Sequence, residues 1–332
     1  ISLAIGVQRM SKRNALVRRL PAVETLGSTS VICTDKTGTL TRDEMTVRQI
    51  VVGGQTYEVT GAGYEPTGEI LHDASPVEAS PQLTELLRAI ALCNDVVLQP
   101  GDEPGTWTIQ GDPTEGALAV VAAKVGLARE QLNAEFPPVD EIPFTSETKR
   151  MTTLHRVGDG TMAYTKGAPE AVLPGCTHWL SPDGPAELTD QDRDAVLQQA
   201  EQMAASALRV LAAARREDAR RDNAQQQMTL LGLVGMIDPP RDEAKAAVQE
   251  CRQAGIKPIM ITGDHPATAE AIARELEILN SGRLITGVEL DRLEDAEYET
   301  QAGDIEVYAR VSPEHKLRVV SALQRLGHVA AM

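Results

Sequence analysis

The sequence predicts an α/β protein: a parallel-sheet domain assembled from two separated stretches of chain, with a mixed α+β domain inserted between them. Three observations predict it. The run Val31-Ile32-Cys33-Thr34-Asp35 is apolar and β-branched, ends in an acid and leads into Lys36-Thr37-Gly38-Thr39-Leu40-Thr41, the pattern of a short buried strand ending in a tight turn. Beyond Asp238, strand and helix patterns alternate, which argues for parallel pairing. Between about Met45 and Met236, Gly-Gly and Gly-Asp-Gly turns flanked by β-branched runs read instead as hairpins. The expected segments are a helix over 1–20, a discontinuous parallel-sheet domain over 21–44 and 237–332, and the insertion over 45–236.

Each element has its own warrant. The first helix should stop at Pro21. Val47 to Val52 and Thr56 to Val59 form a hairpin turned at Gly53-Gly54, and a Gly/Pro/Ser-rich loop runs from Gly61 to Pro81. Leu83 to Cys93 is a helix; Pro100 to Gly105 is a loop before the strand Trp107 to Ile109. Asp112 is placed to cap, and Pro113 to begin, a helix reaching Lys124. Thr152 to Val157 and Thr161 to Thr165 pair across Gly158-Asp159-Gly160, and Lys166 to Glu170 opens a helix. A longer helix covers 190–208, followed by strands over 209–214 and 228–235. The second half of the parallel domain reads as helix 242–254 closed by Gly255, strand 258–261, helix 266–276, strand 306–308, helix 314–326 and a final strand from Val329.

Composition bounds the function. With 332 residues and 42% apolar content the chain can bury about two cores. Aromatics make up only 3%, so an aromatic in a pocket is informative. The net charge of −16 argues against nucleic acid or anionic lipid as a broad electrostatic partner. Cys33, Cys93, Cys176 and Cys251 are scattered with no CxxC, which fits a reducing compartment better than disulfides or zinc. There is no run of 18 apolar residues. The apolar Ile1 to Val7, followed by Arg9, Lys12, Arg13, Arg18 and Arg19, suits either the cytoplasmic end of a membrane helix or an amphipathic helix, and not a signal peptide.

Asp35 is expected at the C-terminal edge of the sheet, where open α/β sheets bind ligands. A carboxylate there can attack phosphorus, with Gly38 permitting close approach and Thr37, Thr39 and Thr41 offering hydroxyls and amides. The same residues also suit a simple Asx or Thr turn. Thr262-Gly263-Asp264 ends a second strand at the same edge, with Asp264 placed to cap the next helix. By themselves, Lys316 reads as a solvated lysine and Phe144 as core.

The string DKTGTLT at 35–41 changes that reading, because it resembles the phosphorylation motif of the P-type ATPases, cation pumps whose aspartate is phosphorylated by ATP. Their phosphorylation domain is similar to the haloacid-dehalogenase-type phosphatases, so the resemblance implies a haloacid-dehalogenase-like parallel-sheet domain carrying an inserted nucleotide-binding domain. Such phosphatases usually carry a second Asp two residues on, as general acid/base; here that residue is Thr37, which suits a persistent acyl-phosphate. Thr262-Gly263-Asp264 matches the family's TGD motif beside the phosphate and its Mg²⁺, with Thr262 bonding a phosphoryl oxygen. Ala309 to Lys316 matches ARVxPxxK, making Lys316 the cation beside the phosphate and Arg310 its neighbour toward the nucleotide. Lys166-Gly167-Ala168 matches the nucleotide-pocket motif, with Gly167 leaving room for base or ribose. By the same carry-over Phe144 stacks on adenine, Glu115 meets the adenine side, and Lys149 and Arg209 reach toward the phosphates. Asp35 and the Thr37 carbonyl would hold Mg²⁺, and Lys36 flanks the nucleophile. Ser146 departs from the pattern: close calcium-pump relatives carry a basic residue there. No Walker GxxxxGK[ST] is present.

The resemblance implies that ATP docks in the insertion, a hinge near Met45 and Met236 closes, and the γ-phosphate passes to Asp35. It implies a multi-pass membrane protein working at the cytoplasmic membrane face, most similar to type II calcium pumps, with the transported cation, the transmembrane helices and an actuator domain as partners. The family's GDGxND motif would follow a strand like Val329 to Met332, so the chain is expected to be a soluble cytoplasmic piece with a truncated phosphorylation domain, binding ATP and phosphorylating Asp35 poorly. The alternatives are a soluble haloacid-dehalogenase-like phosphatase with a large cap, and a nucleotide-binding module without catalysis.

Overall fold

A computed structural model describes residues 2–332 apart from 13, 14, 19–22, 24 and 104. The chain separates into two compact units, one formed by Ile1–Arg42 with Pro240–Met332 and the other by Asp43–Pro239. Asp43–Pro239 holds 30 acidic and 14 basic residues against 18 of each in the remainder, so the whole excess of negative charge belongs to the second unit.

The first unit is built on a five-stranded sheet in the order Arg283–Thr286, Ile305–Ala309, Lys257–Ile261, Val31–Asp35, Ala330–Ala331, with every pairing parallel. Asp35 stands opposite Ile261, which sets Asp35 and the Thr262-Gly263-Asp264 stretch at one sheet edge. Val31, Cys33, Ile259 and Ile261 alternate into a core closed by Tyr298 and Tyr308, whose hydroxyls meet at 2.8 Å. Burial of these side chains is the main source of the unit's cohesion, at about 1.5–3 kcal/mol for each large apolar group.

Several expectations are corrected here. The first helix covers only Ser2–Ser11, and residues 15–18 are not helical; Pro21 and the cationic Arg13 and Arg19 lie outside the described residues. Strand Arg283–Thr286 and helices Gly287–Arg292 and Asp295–Ala302 were not predicted, because each is too short for its periodicity to show. Asp264 is not the helix cap: His265 holds that position, its ring accepting from the Ala267 amide at 3.3 Å. Among the described residues no helix is long and apolar enough to cross a membrane.

The second unit carries a large, mainly antiparallel sheet. Its path runs from Ser75–Pro76 through Ile70–His72, Gln55–Val59, Thr46–Val52, Met228–Ile237, Arg209–Arg216, Gly160–Gly167 and Arg150–Val157 to Pro138–Ile142. Helix Pro81–Leu92 buries Leu83, Leu86, Leu87 and Ile90 on one face, the i, i+3, i+4, i+7 spacing that its sequence shows. Two expectations change in this unit. The 61–81 loop contains the strands Ile70–His72 and Ser75–Pro76. Lys166 and Gly167 end a strand rather than opening a helix, and the helix that follows is the single turn Pro169–Val172.

Candidate functional site

Two constellations emerge, one in each unit. In the first, Asp35 is the last residue of its strand and its carboxylate accepts a charge-assisted bond from Lys316 Nζ. Lys316 lies in the first turn of helix Pro313–Arg325, started by Ser312 and Pro313. The turn after Asp35 closes on the Lys36 carbonyl, which accepts from both the amide and the hydroxyl of Thr41 at 3.1 Å. Gly38 sits at φ 73°, where a side chain would be strained, and its carbonyl accepts from the Arg241 guanidinium at 3.1 Å.

Lys36 is buried, and its ammonium meets the Asp264 carboxylate at 2.6 Å. Thr262 is also buried; its hydroxyl accepts from the Asp264 amide at 3.1 Å. Gly263 faces open space where a Cβ would stand. Asp35, Lys36, Thr37, Thr262, Gly263, Asp264 and Lys316 thus share the edge that Asp35 and Ile261 define. Arg310 belongs to this unit as well: it stands at φ 51° and its amide donates to the Asp264 carbonyl at 3.0 Å. Beneath Asp35, burial pushes the Cys33 thiol up to about 11, which keeps it out of competition as a nucleophile.

The donor set suits Mg²⁺. That ion takes one or two carboxylates, substrate phosphate oxygens and water, and the half-exposed Asp35 carboxylate offers one such ligand. No cluster of three or more His, Cys, Asp or Glu residues suited to a metal occurs among the described residues.

The second constellation lines a cavity of about 660 Å³ in the antiparallel unit, the size of a nucleoside-scale ligand site. Glu115, Phe144, Lys149, Lys166, Gly167 and Arg209 all lie on its wall. Phe144 is 59% exposed, so it is a platform at the mouth and not a core residue. Lys166 is buried and donates to the Glu115 carboxylate and the Cys93 carbonyl. Glu115 also accepts from the Asp95 amide at 3.0 Å, and Asn94 donates to the Glu115 carbonyl at 2.9 Å. Lys149, at φ 50°, pairs with Glu170 at 3.2 Å, and Arg209 donates to the Thr114 hydroxyl at 3.0 Å.

Gly167 owes its identity to a different neighbour from the one expected. A Cβ there would strike the Lys149 carbonyl and the Arg150 backbone across the strand pair, so glycine is required by close strand approach. Sequence reasoning also missed Asp95, Asp112 and Glu141 on the cavity wall. Burial, followed by the nearby Asp95 and Glu115 charges, raises the Glu141 carboxyl above its usual range. Only Asp112, readable as a cap, carried a local signal; it accepts from the Thr114 amide at 2.8 Å.

A family model described as P-type ATPase, cytoplasmic domain N, matches residues 82–243, which include every cavity residue named above. The cation-transporting ATPase pma1 of Synechocystis is 45% identical over 352 residues, spanning 100% of this chain. The chain belongs to the P-type ATPase family. The calcium-transporting ATPase of Bacillus subtilis is 42% identical over 345 residues, and the human calcium-transporting ATPase type 2C member 1 is 39% identical over 340 residues, each again along 100% of this chain. This P-type ATPase chain spans 38% of the length of the two bacterial relatives and 36% of the human one.

Proposed function

We propose that this chain is the ATP-binding and aspartyl-phosphorylation part of an ATP-driven cation pump, with Asp35 as the phosphoryl acceptor and Ca²⁺ the expected cargo. The observation that carries the reading is the Lys316–Asp35 bond at the edge of a parallel sheet, with Lys36 and Asp264 paired beside it. In this reading the first unit is a haloacid-dehalogenase-like phosphorylation domain, and Asp43–Pro239 is the nucleotide-binding domain. The calcium-transporting names of two relatives support the cargo.

ATP enters the cavity with its base on Phe144 and its phosphates toward Lys149 and Arg209. An Asp35 carboxylate oxygen attacks the γ-phosphorus in line, the bond to the β-phosphate oxygen breaks, and ADP leaves. Lys316 offsets the charge that develops on the transferred group; a fixed donor of this kind contributes roughly 10²–10³ in rate. Thr262 and Gly263 present a hydroxyl and an unencumbered backbone at the same edge. Mg²⁺ held by Asp35 and the Thr37 carbonyl would supply neutralisation of phosphate charge.

Two measurements test the reading. Calorimetry of this chain with ATP should show binding that Phe144→Ala weakens. In the whole protein, ATP should leave an acid-stable, hydroxylamine-labile phosphate that Asp35→Asn abolishes. Labelling that survives Asp35→Asn would sink the assignment.

A further inference from the structure

We propose that His315 is a positioning residue that holds Lys316 against Asp35. The inference rests on the reading of Asp35 as the phosphoryl acceptor. Four contacts carry it. His315 Nδ1 accepts from the Ser312 amide at 3.0 Å, and the Ser312 hydroxyl accepts from the His315 amide at 3.4 Å, a reciprocal cap at the start of helix Pro313–Arg325. The usual residue at this third position is Glu or Gln. His315 Nε2 lies 2.7 Å from Asp291 Oδ1. Since Nδ1 accepts, the ring is neutral with its proton on Nε2, donated to the Asp291 carboxylate.

The ring also rests on Gly287. A Cβ at that position would strike the Arg310 carbonyl first and would also lie 2.9 Å from His315 Cε1 and 3.0 Å from Nδ1, so the residue under the ring must be glycine. His315 is therefore gripped by its own helix on one side and by Gly287 and Asp291 of helix Gly287–Arg292 on the other. Lys316 is the next residue. Its long stem has many rotamers, and the bond to Asp35 is made cheaper if the turn that launches it is already fixed. A glutamate at 315 would complete the cap but would set a second negative charge against Asp291; histidine completes the cap and donates to that carboxylate.

The test uses the full chain and two readouts. The first is the nitrogen–proton spectrum of lysine ammonium groups, in which a protected, ion-paired Nζ gives a signal and Lys316→Met assigns it. His315→Ala should remove the Lys316 signal. His315→Gln, whose amide can both accept from Ser312 and donate to Asp291, should restore it, and Asp291→Ala should weaken it even if His315→Ala fails to fold. The ring nitrogens of His315 should report the Nε2–H tautomer. A Lys316 signal indifferent to His315→Ala and Asp291→Ala, or His315→Gln as damaging as alanine, would overturn the proposal. The second readout is labelling of Asp35 in the whole protein, expected to slow about 10- to 100-fold in His315→Ala with ATP affinity unchanged and to recover in His315→Gln. A fall in ATP affinity equal to the fall in rate would count against positioning. A Lys316 signal that follows His315, with no labelling in any version, would support the positioning and reject the acceptor reading.

Discussion

Lys36 Nζ and Asp264 Oδ2 stand 2.6 Å apart, joining the residue after one strand to the third residue after its parallel neighbour. The pair ties the turn that follows Asp35 to the stretch that carries Thr262 and Gly263. Lys36 is only 4% exposed, so its charge needs that anion.

Asp264→Ala should therefore destabilise the parallel-sheet unit by about 2 kcal/mol, the range for losing a charged hydrogen bond on a buried group. Urea unfolding followed by a probe within this unit measures it. Lys36→Met, which leaves only the part-exposed Asp264 carboxylate, should cost less.

The Lys166–Glu115 pair makes a sharper case, since both side chains are largely buried. Lys166→Met should cost about 3 kcal/mol by stranding the carboxylate, and Glu115→Gln a comparable amount. The double variant Lys166→Met with Glu115→Leu should recover most of that stability, whereas ATP binding should be weakened in all three variants. Thermal unfolding and calorimetry on the same preparations separate the two effects.

Phe144 should show the opposite split. Its exposure means that Phe144→Ala changes stability by no more than about 0.5 kcal/mol. Loss of base stacking should weaken ATP binding by roughly 5- to 100-fold. An affinity unchanged in calorimetry would remove Phe144 from the adenine site.

His155 predicts a pH dependence in the antiparallel unit. It is buried, with Nδ1 2.9 Å from the Phe136 carbonyl and Nε2 2.9 Å from the Thr153 hydroxyl. Burial lowers its pKa below the ordinary 6.5. A base with a depressed folded pKa binds its proton more readily when unfolded. Its contribution is thus complete above 6.5 and is lost as pH falls below that value toward the folded pKa. Denaturant midpoints measured from pH 7.5 down to about 5 should fall, and His155→Asn should flatten that slope.

Much of the fold was legible in the chain. Val31 to Asp35, the Gly53-Gly54 hairpin and the helix begun by Asp112 and Pro113 are written in local patterns of burial and turn chemistry, and each lies within a residue or two of its expected place. The elements that escaped are short, such as Ile70–His72, where a pattern of three residues cannot declare a period. Site residues followed the same division. Asp35, Lys316, Phe144 and Lys166 could be singled out from motifs, whereas Asp95, Glu141, Glu170 and Asp291 carry no motif and matter through what they touch.

By itself the sequence determined where the strands end, which residue types stand at those ends and which family they resemble, because such features depend on neighbours a few positions away. The tertiary structure alone decided the partners. Asp264 meets Lys36 and leaves the cap to His265, Lys166 is matched by Glu115, Gly167 yields to the Lys149 carbonyl, and His315 bridges Ser312 and Asp291. A polar group is satisfied by whichever opposite charge or lone pair the strand register and helix packing bring within about 3 Å, and periodicity along the chain records which face is buried without recording that choice.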